Sequence, residues 1–505
     1  MNESVPERRM RRVTRLLRQS RREFLIGIGG AALVTLGAPV VSTASRVGDG
    51  LKRSPFASFD REIEQFIRAR KVPGGALVVV KDRRLVYAQG YGLADRGQRD
   101  RVRPTSLFRI ASISKPITAV AVLKLVENGR LSLDGRVWEC LDLPNRVPDG
   151  KKPDERWKQI TIRHLLQHTG GWDRDKSFDP MFRSRAIARE LGISSPPGPH
   201  DIIRYMLGQP LDFDPGRRYA YSNFGYCLLG RVIEQITGMD YEMFVQKNVL
   251  APIGITRMRI GRSLAEHQVK DEVRYYLPEE EVAESVFDDP MPSARGAHAA
   301  GVLGAAARRT PEGVRASDAA TRPESPTSPT RNPVGEPPTG AREPRALPEV
   351  PWPYGGFCLE SMDAHGGWIA SAVDLGRFAA AFHDPTRCPL LKLSTIETMH
   401  APPSPPASRK GDGSLEDVYY GCGWMVRPVG KGGKANYWHT GSLPGTYTLL
   451  VRRWDGLSWA VLFNQRSSDK SLPDGAIDPA LHRAADAVKK WPDENWFPKY
   501  SKVHL

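Results

Sequence analysis

With 505 residues, 40% hydrophobic and 26% charged, the chain carries enough apolar material for a large packed core, which excludes a wholly disordered or fibrous protein. Its formal net charge is +16, but the basic residues group into no nucleic-acid-binding motif. Five scattered cysteines, Cys140, Cys227, Cys358, Cys388 and Cys422, show neither metal-ligand spacing nor a disulfide framework.

The first segment reads as an address. Through Glu23 there are eight arginines against three glutamates, a net of +5; residues 24–44 carry no charge, which leaves +11 for the rest. Ser20-Arg21-Arg22-Glu23-Phe24-Leu25 has the form of a twin-arginine export signal. A mildly apolar stretch to Val41 follows, and Ser42-Thr43-Ala44 offers small residues for cleavage. Residues 1–44 are thus expected to be a signal peptide read by the twin-arginine machinery, delivering residues 45–505 to a periplasmic or extracytoplasmic space. The alternative is an uncleaved membrane anchor, and no later stretch approaches transmembrane length.

Early strands are expected at 76–80 and 84–87 from their β-branched, apolar runs. Ser112-x-x-Lys115 then leads into apolar residues at helical spacing that stop at Asn128-Gly129. A serine at such a helix start meets the positive end of the dipole, and a lysine three residues on lies one turn up the same face, able to share its proton. Pro116 is tolerable because it falls in the first turn. A second copy, Ser467-x-x-Lys470, sits in a loop with no helix to hold the pair. His168-Thr169-Gly170 closes the helix-like run that starts at Ile162, with His168 as its cap.

Tyr221-Ser222-Asn223 precedes another helix-like run. The tyrosine can act as a base, and the asparagine offers both a donor and an acceptor; alone, the triplet reads more readily as a turn plus a helix cap. From about 293 to 347 the chain turns to Ala, Arg, Pro, Thr, Ser and Glu, a composition that cannot offset its chain entropy, so a disordered insertion is expected. Residues 366–378 read as a loop into a helix. Strands are expected over 437–451 and 459–464, and a last helix over 479–490. His439-Thr440-Gly441 lies in the first of these, with Gly441 removing a side chain where a substrate approaches the backbone.

The three motifs in this order, with framework segments at 73–80, 90–92, 131–134, 161–170 and 420–424, resemble the serine β-lactamase-related superfamily. It contains class C β-lactamases, penicillin-binding DD-peptidases and esterases of the same fold, and the similarity covers residues 58–260 and 352–490. The resemblance implies an α+β fold: an antiparallel sheet flanked by helices, with a mostly helical second lobe at roughly 104–260 and 360–400 carrying Ser112 and Tyr221. It makes Ser112 the acylated nucleophile, Lys115 its proton partner, Tyr221 the second base and Asn223 the side chain that holds Lys115 and a substrate amide. The N–H groups of Ser112 and Ser442 would form the oxyanion hole, on the strand bearing Thr440 and Gly441.

His439 departs from the family, since β-lactamases and DD-peptidases usually carry lysine there. The expected activity is therefore hydrolysis of an ester or amide, esterase-like or D-amino-acid-peptidase-like, on a small or peptide substrate that includes cell-wall material. A β-lactamase or DD-carboxypeptidase is the alternative, and a non-catalytic binding relative a further one. No metal or other cofactor and no nucleic acid enter this chemistry. Trp172, Trp368, Trp424 and Tyr447 fall in segments bordering the cleft, each expected to be core packing.

Overall fold

A computed structural model describes residues 55–501 except 144–146, 148–149, 280 and 289–347, so the signal segment and the expected insertion lie outside the described residues. The main sheet has eight strands, β1 (Gly74–Lys81), β2 (Arg84–Asp95), β3 (Asp100–Arg101), β4 (Tyr419–Tyr420), β5 (Met425–Pro428), β6 (Ala435–Leu443), β7 (Thr446–Arg452) and β8 (Leu457–Phe463). Their order is β3-β2-β1-β8-β7-β6-β5-β4, antiparallel throughout. The first strand therefore pairs with the last, Val78 opposite Ala460. The chain leaves the sheet after β3, builds the helical lobe, and returns at β4.

β1 is apolar on both faces because both are covered. Ala76, Val78 and Val80 join the core shared with the lobe. Leu77 and Val79 pack instead with Phe59, Ile63 and Leu481 from two terminal helices, α1 (Ala57–Arg70) and α5 (Ile477–Asp486). Burying one such side chain stabilises the fold by about 1.5–3 kcal/mol, so a charge at Val78 would break the sheet–lobe contact.

In the lobe, α2 (Ser114–Glu127) is buried along most of its length and ends at Asn128, followed by Gly129 at φ +67°. Pro116 sits in its first turn. α3 (Asn223–Thr237) starts behind Ser222, whose Oγ accepts the Gly225 N–H at 3.2 Å. His168 lies just past the short helix Ile162–Leu166, in the left-handed region at φ +56°, as a helix terminator.

The structure corrects the lobe boundary. Residues 366–378 are more than a loop into a helix: Trp368–Ala370 forms a strand between 108–109 and 259–260. After it, α4 (Ala372–Ala380) begins with a capping box between Ser371 and Asp374. This helix was expected in the lobe but lies on the sheet, because Gly376 presents no side chain where a Cβ would stand 3.2 Å from Val78 Cγ2. Trp172, Trp368, Trp424 and Tyr447 are all buried in packing. All five cysteines are unpaired thiols, three of them buried.

Candidate active site

Ser112 sits in a tight turn, Ala111–Ile113, that feeds directly into α2. Ala111 occupies φ +48°, a conformation that strains a non-glycine residue by about 1–3 kcal/mol. The surroundings hold that strain in place. The Ile110 N–H donates to the Trp368 carbonyl at 2.9 Å, Ser114 Oγ donates to the Ala111 carbonyl at 2.6 Å, and Thr448 Oγ1 donates to the Ile110 carbonyl at 3.0 Å.

β6 lies against this turn. A Cβ on Gly441 would stand 2.2 Å from the Ile110 carbonyl oxygen and 2.3 Å from Thr448 Oγ1. The sequence suggested that Gly441 makes room for a substrate. What approaches it here is the backbone that carries the nucleophile.

Lys115 is fully buried, and Nζ has three neighbours: Asn223 Oδ1 at 2.8 Å, the His365 carbonyl at 2.9 Å and Ser112 Oγ at 3.1 Å. Two of these accept only. Burial pushes the ammonium well below the ordinary lysine value, the Arg174 charge adds to the effect, and Asp179 opposes it. Nζ donates to Asn223 Oδ1 and to the His365 carbonyl, and stands within hydrogen-bond reach of the Ser112 hydroxyl, with which it can exchange a proton.

Tyr221 hydrogen-bonds Ser112 from the other side, and burial raises its phenol above the usual tyrosine value despite Arg174 and Ser112 pulling it down. Ser112 Oγ thus stands between the Lys115 side-chain nitrogen and the Tyr221 phenol. Asn223 uses both ends of its amide, as its residue type allowed. Oδ1 faces Lys115 while Nδ2 donates to Asp179 Oδ2 at 2.6 Å, which fixes the amide's orientation.

His439 is 1% exposed, and both ring nitrogens are engaged. Nδ1 lies 2.7 Å from the Thr440 carbonyl, an acceptor, so Nδ1 carries the proton and Nε2 accepts from the Tyr420 hydroxyl at 2.9 Å. Burial, with Lys115 second, pushes its pKa down to about 3, so the ring is neutral at any ordinary pH. Thr440 and Ser442 alternate with His439 and Gly441 along β6, so their side chains project to the sheet's other face. Ser442 Oγ accepts from Arg466 at 3.3 Å. What Thr440 and Ser442 can lend the site is backbone.

Ser467 stands apart from this cluster: its N–H donates to both Asp474 oxygens at 3.0 Å, and its hydroxyl to the Asp469 carbonyl at 3.3 Å.

Sequence reasoning missed four contributors. Asp179 belongs to none of the motifs in the sequence. His365 acts through its carbonyl, which no side-chain pattern announces. Tyr420 stood in a framework segment without a role. His168 accepts the Ser222 N–H at 3.2 Å, and its ring packs 4.3 Å from that of Tyr221 and 4.4 Å from that of Tyr420. The second His-Thr-Gly copy therefore supports the Tyr221 motif from below.

The beta-lactamase family profile matches residues 59–483. Over 205 residues the chain is 34% identical to esterase EstB of Burkholderia gladioli, a match covering 39% of this chain and 50% of that one. The matched segment thus spans about half the length of that relative. Among solved structures, the octameric penicillin-binding protein homologue from Pyrococcus abyssi superposes with a TM-score of 0.55 at 22% identity, covering 90% of this chain and 81% of that one. The D-amino acid amidase from Ochrobactrum anthropi SV3 gives 0.55 at 20% identity, covering 87% and 99%. At such identities these two likenesses speak for the α+β fold.

Proposed function

The chain belongs to the beta-lactamase family, and from that premise we propose that it is an exported serine hydrolase that cleaves an ester or amide through an acyl-enzyme on Ser112. The observation that carries this reading is the Ser112 hydroxyl held between the Lys115 amine, at 3.1 Å, and the Tyr221 phenol.

Ser112 Oγ attacks the substrate carbonyl while Lys115 takes its proton, and the N–H groups of Ser112 and Ser442 meet the oxyanion. Collapse breaks the bond to the leaving group, which Tyr221 protonates. The Lys115 ammonium then returns a proton to Tyr221, restoring amine and phenol. Water then attacks the acyl-enzyme by the same route in reverse: Tyr221, its proton passed to Lys115, takes the proton of the water, and the Lys115 ammonium hands its own to Ser112 Oγ as the acyl group departs, restoring amine and phenol. In this reading lysine is the base and tyrosine the acid of acylation, in keeping with the direction in which burial pushes each pKa.

The neutral His439 supports an ester or amide substrate over a β-lactam. The strand carries no lysine to draw a carboxylate, and both imidazole nitrogens are spent within the protein. The names of the relatives, an esterase and a D-amino acid amidase, support the same class. Export rests on the Arg21-Arg22 signal in the sequence.

The test is intact mass after incubation with a fluorophosphonate, with p-nitrophenyl acetate and with a penicillin. The first two are expected to leave adducts that Ser112→Ala abolishes and Ser467→Ala does not. Ester turnover persisting in Ser112→Ala would overturn the mechanism.

A further inference from the structure

Lys115 is spent on Asn223 and His365, and both ring nitrogens of His439 are engaged within the protein, so a cation free to meet a substrate has to come from elsewhere. Arg174 lies in the loop after His168, beside Tyr221. Asp173 pins this loop: its N–H donates to Asp212 at 2.8 Å, its own carboxylate takes the Asp175 N–H at 3.0 Å and pairs with Arg218 at 2.9 Å. Next door, the Trp172 ring packs edge-on against Phe224 at 4.9 Å. Arg174 is therefore carried on a fixed turn.

Its guanidinium lies 4.8 Å from the centre of the Tyr221 ring and 3.8 Å from Asp179 Oδ2, beyond hydrogen-bond length. Asp179 already takes the Asn223 amide at 2.6 Å and the Met181 N–H at 3.2 Å. Among the described residues Arg174 donates no hydrogen bond, and its side chain is 24% exposed. Arg466, near Ser442, is by contrast committed to the Ser442 hydroxyl. A rigidly placed, partly exposed planar fork of donors stacked on the catalytic phenol is suited to two-pronged recognition of a carboxylate.

We propose that Arg174 is the specificity-determining residue of this cleft, binding a carboxylate on the part of the substrate that lies against Tyr221. This rests on the serine hydrolase reading above and narrows it to esters or amides whose acid group reaches Arg174 beside Tyr221, and not β6, where His439 offers it no cation.

The test compares charged and neutral partners of one ester. 4-Acetoxybenzoate and its methyl ester place the charge on the leaving group; mono-4-nitrophenyl glutarate and 4-nitrophenyl butyrate place it on the acyl group. The ratio of kcat/KM, charged over neutral, is measured within each variant, so that effects of Arg174 on Lys115 and Tyr221 cancel.

Arg174→Met is expected to lower that ratio about ten- to a hundredfold in one arm, chiefly through KM. Arg174→Lys should restore part of it, and the wild-type preference should shrink with added salt. The arm that responds tells which side of the scissile bond carries the acid. Ratios unchanged by Arg174→Met in both arms overturn the inference while leaving the hydrolase reading intact. Failure of the wild type to turn over even the neutral esters would instead count against the hydrolase reading itself.

Discussion

Replacing Gly441 with alanine tests whether β6 positions the nucleophile through contact with the backbone. The new methyl carbon would stand 2.2 Å from the Ile110 carbonyl oxygen, whereas a relaxed carbon–oxygen contact needs about 3.3 Å. Strand and turn must therefore separate by about 1 Å. Neither partner yields cheaply. The carbonyl is backbone, tied to Thr448 at 3.0 Å, and β6 is paired with β7 from Tyr437 to Leu443. A misplacement of about 1 Å at a catalytic group lowers the rate about a hundredfold, and overpacking of this kind costs about 1–3 kcal/mol of stability. Gly441→Ala is thus expected to lose about two orders of magnitude in the p-nitrophenyl acetate burst and in fluorophosphonate labelling, with a moderate fall in urea midpoint. Gly475→Ala is the control, since a Cβ there meets nothing within 4 Å. Labelling by Gly441→Ala within about threefold of wild type would refute the positioning argument.

Three further outcomes follow from the same geometry. If the free Lys115 amine is the base, kcat/KM falls as pH drops through its depressed pKa; Asp179 raises that pKa and Arg174 lowers it. Asp179→Asn should then move the acid limb to lower pH and Arg174→Met to higher pH, and shifts of one common sign would contradict the assignment. Wild-type enzyme is expected to favour p-nitrophenyl acetate over a penicillin, and His439→Lys to raise the penicillin-to-ester ratio while losing about 0.5–1.5 kcal/mol with the hydrogen bond from Tyr420; efficient wild-type penicillin turnover, unchanged in the variant, would reverse that reading. The pairing of 282–284 with 349–351 sets the two ends of the intervening segment side by side. Replacing residues 299–346 with a short Gly/Ser linker should therefore leave the melting temperature within a few degrees, and a large drop would mean the segment is a folded part of the enzyme.

Much of this protein was legible in the sequence, because its signals were local. Apolar runs placed β1, β8 and the helix behind Ser112 to within a few residues, and the order of three motifs pointed to the α+β fold. Local context also separated Ser112, which runs into α2, from Ser467, which does not.

The sequence also fixed residue types whose options were few: an asparagine offers a donor and an acceptor, and Asn223 uses both. What it could not contain is desolvation. The depressed pKa of Lys115 comes from the burial of Nζ among Asn223, His365 and Ser112, two of which lie more than a hundred residues from Lys115 along the chain.

Close approach was equally hidden. That Gly441 yields to the Ile110 carbonyl, Gly376 to Val78, and that α4 belongs to the sheet and not the lobe, are consequences of surfaces meeting in space. The roles of Asp179 and Arg174 belong there too, since each depends on meeting Asn223 or Tyr221 in space. Periodicity and turn chemistry are written along the chain, whereas protonation and charge selection depend on which groups exclude water from one another, and only the tertiary fold decides that.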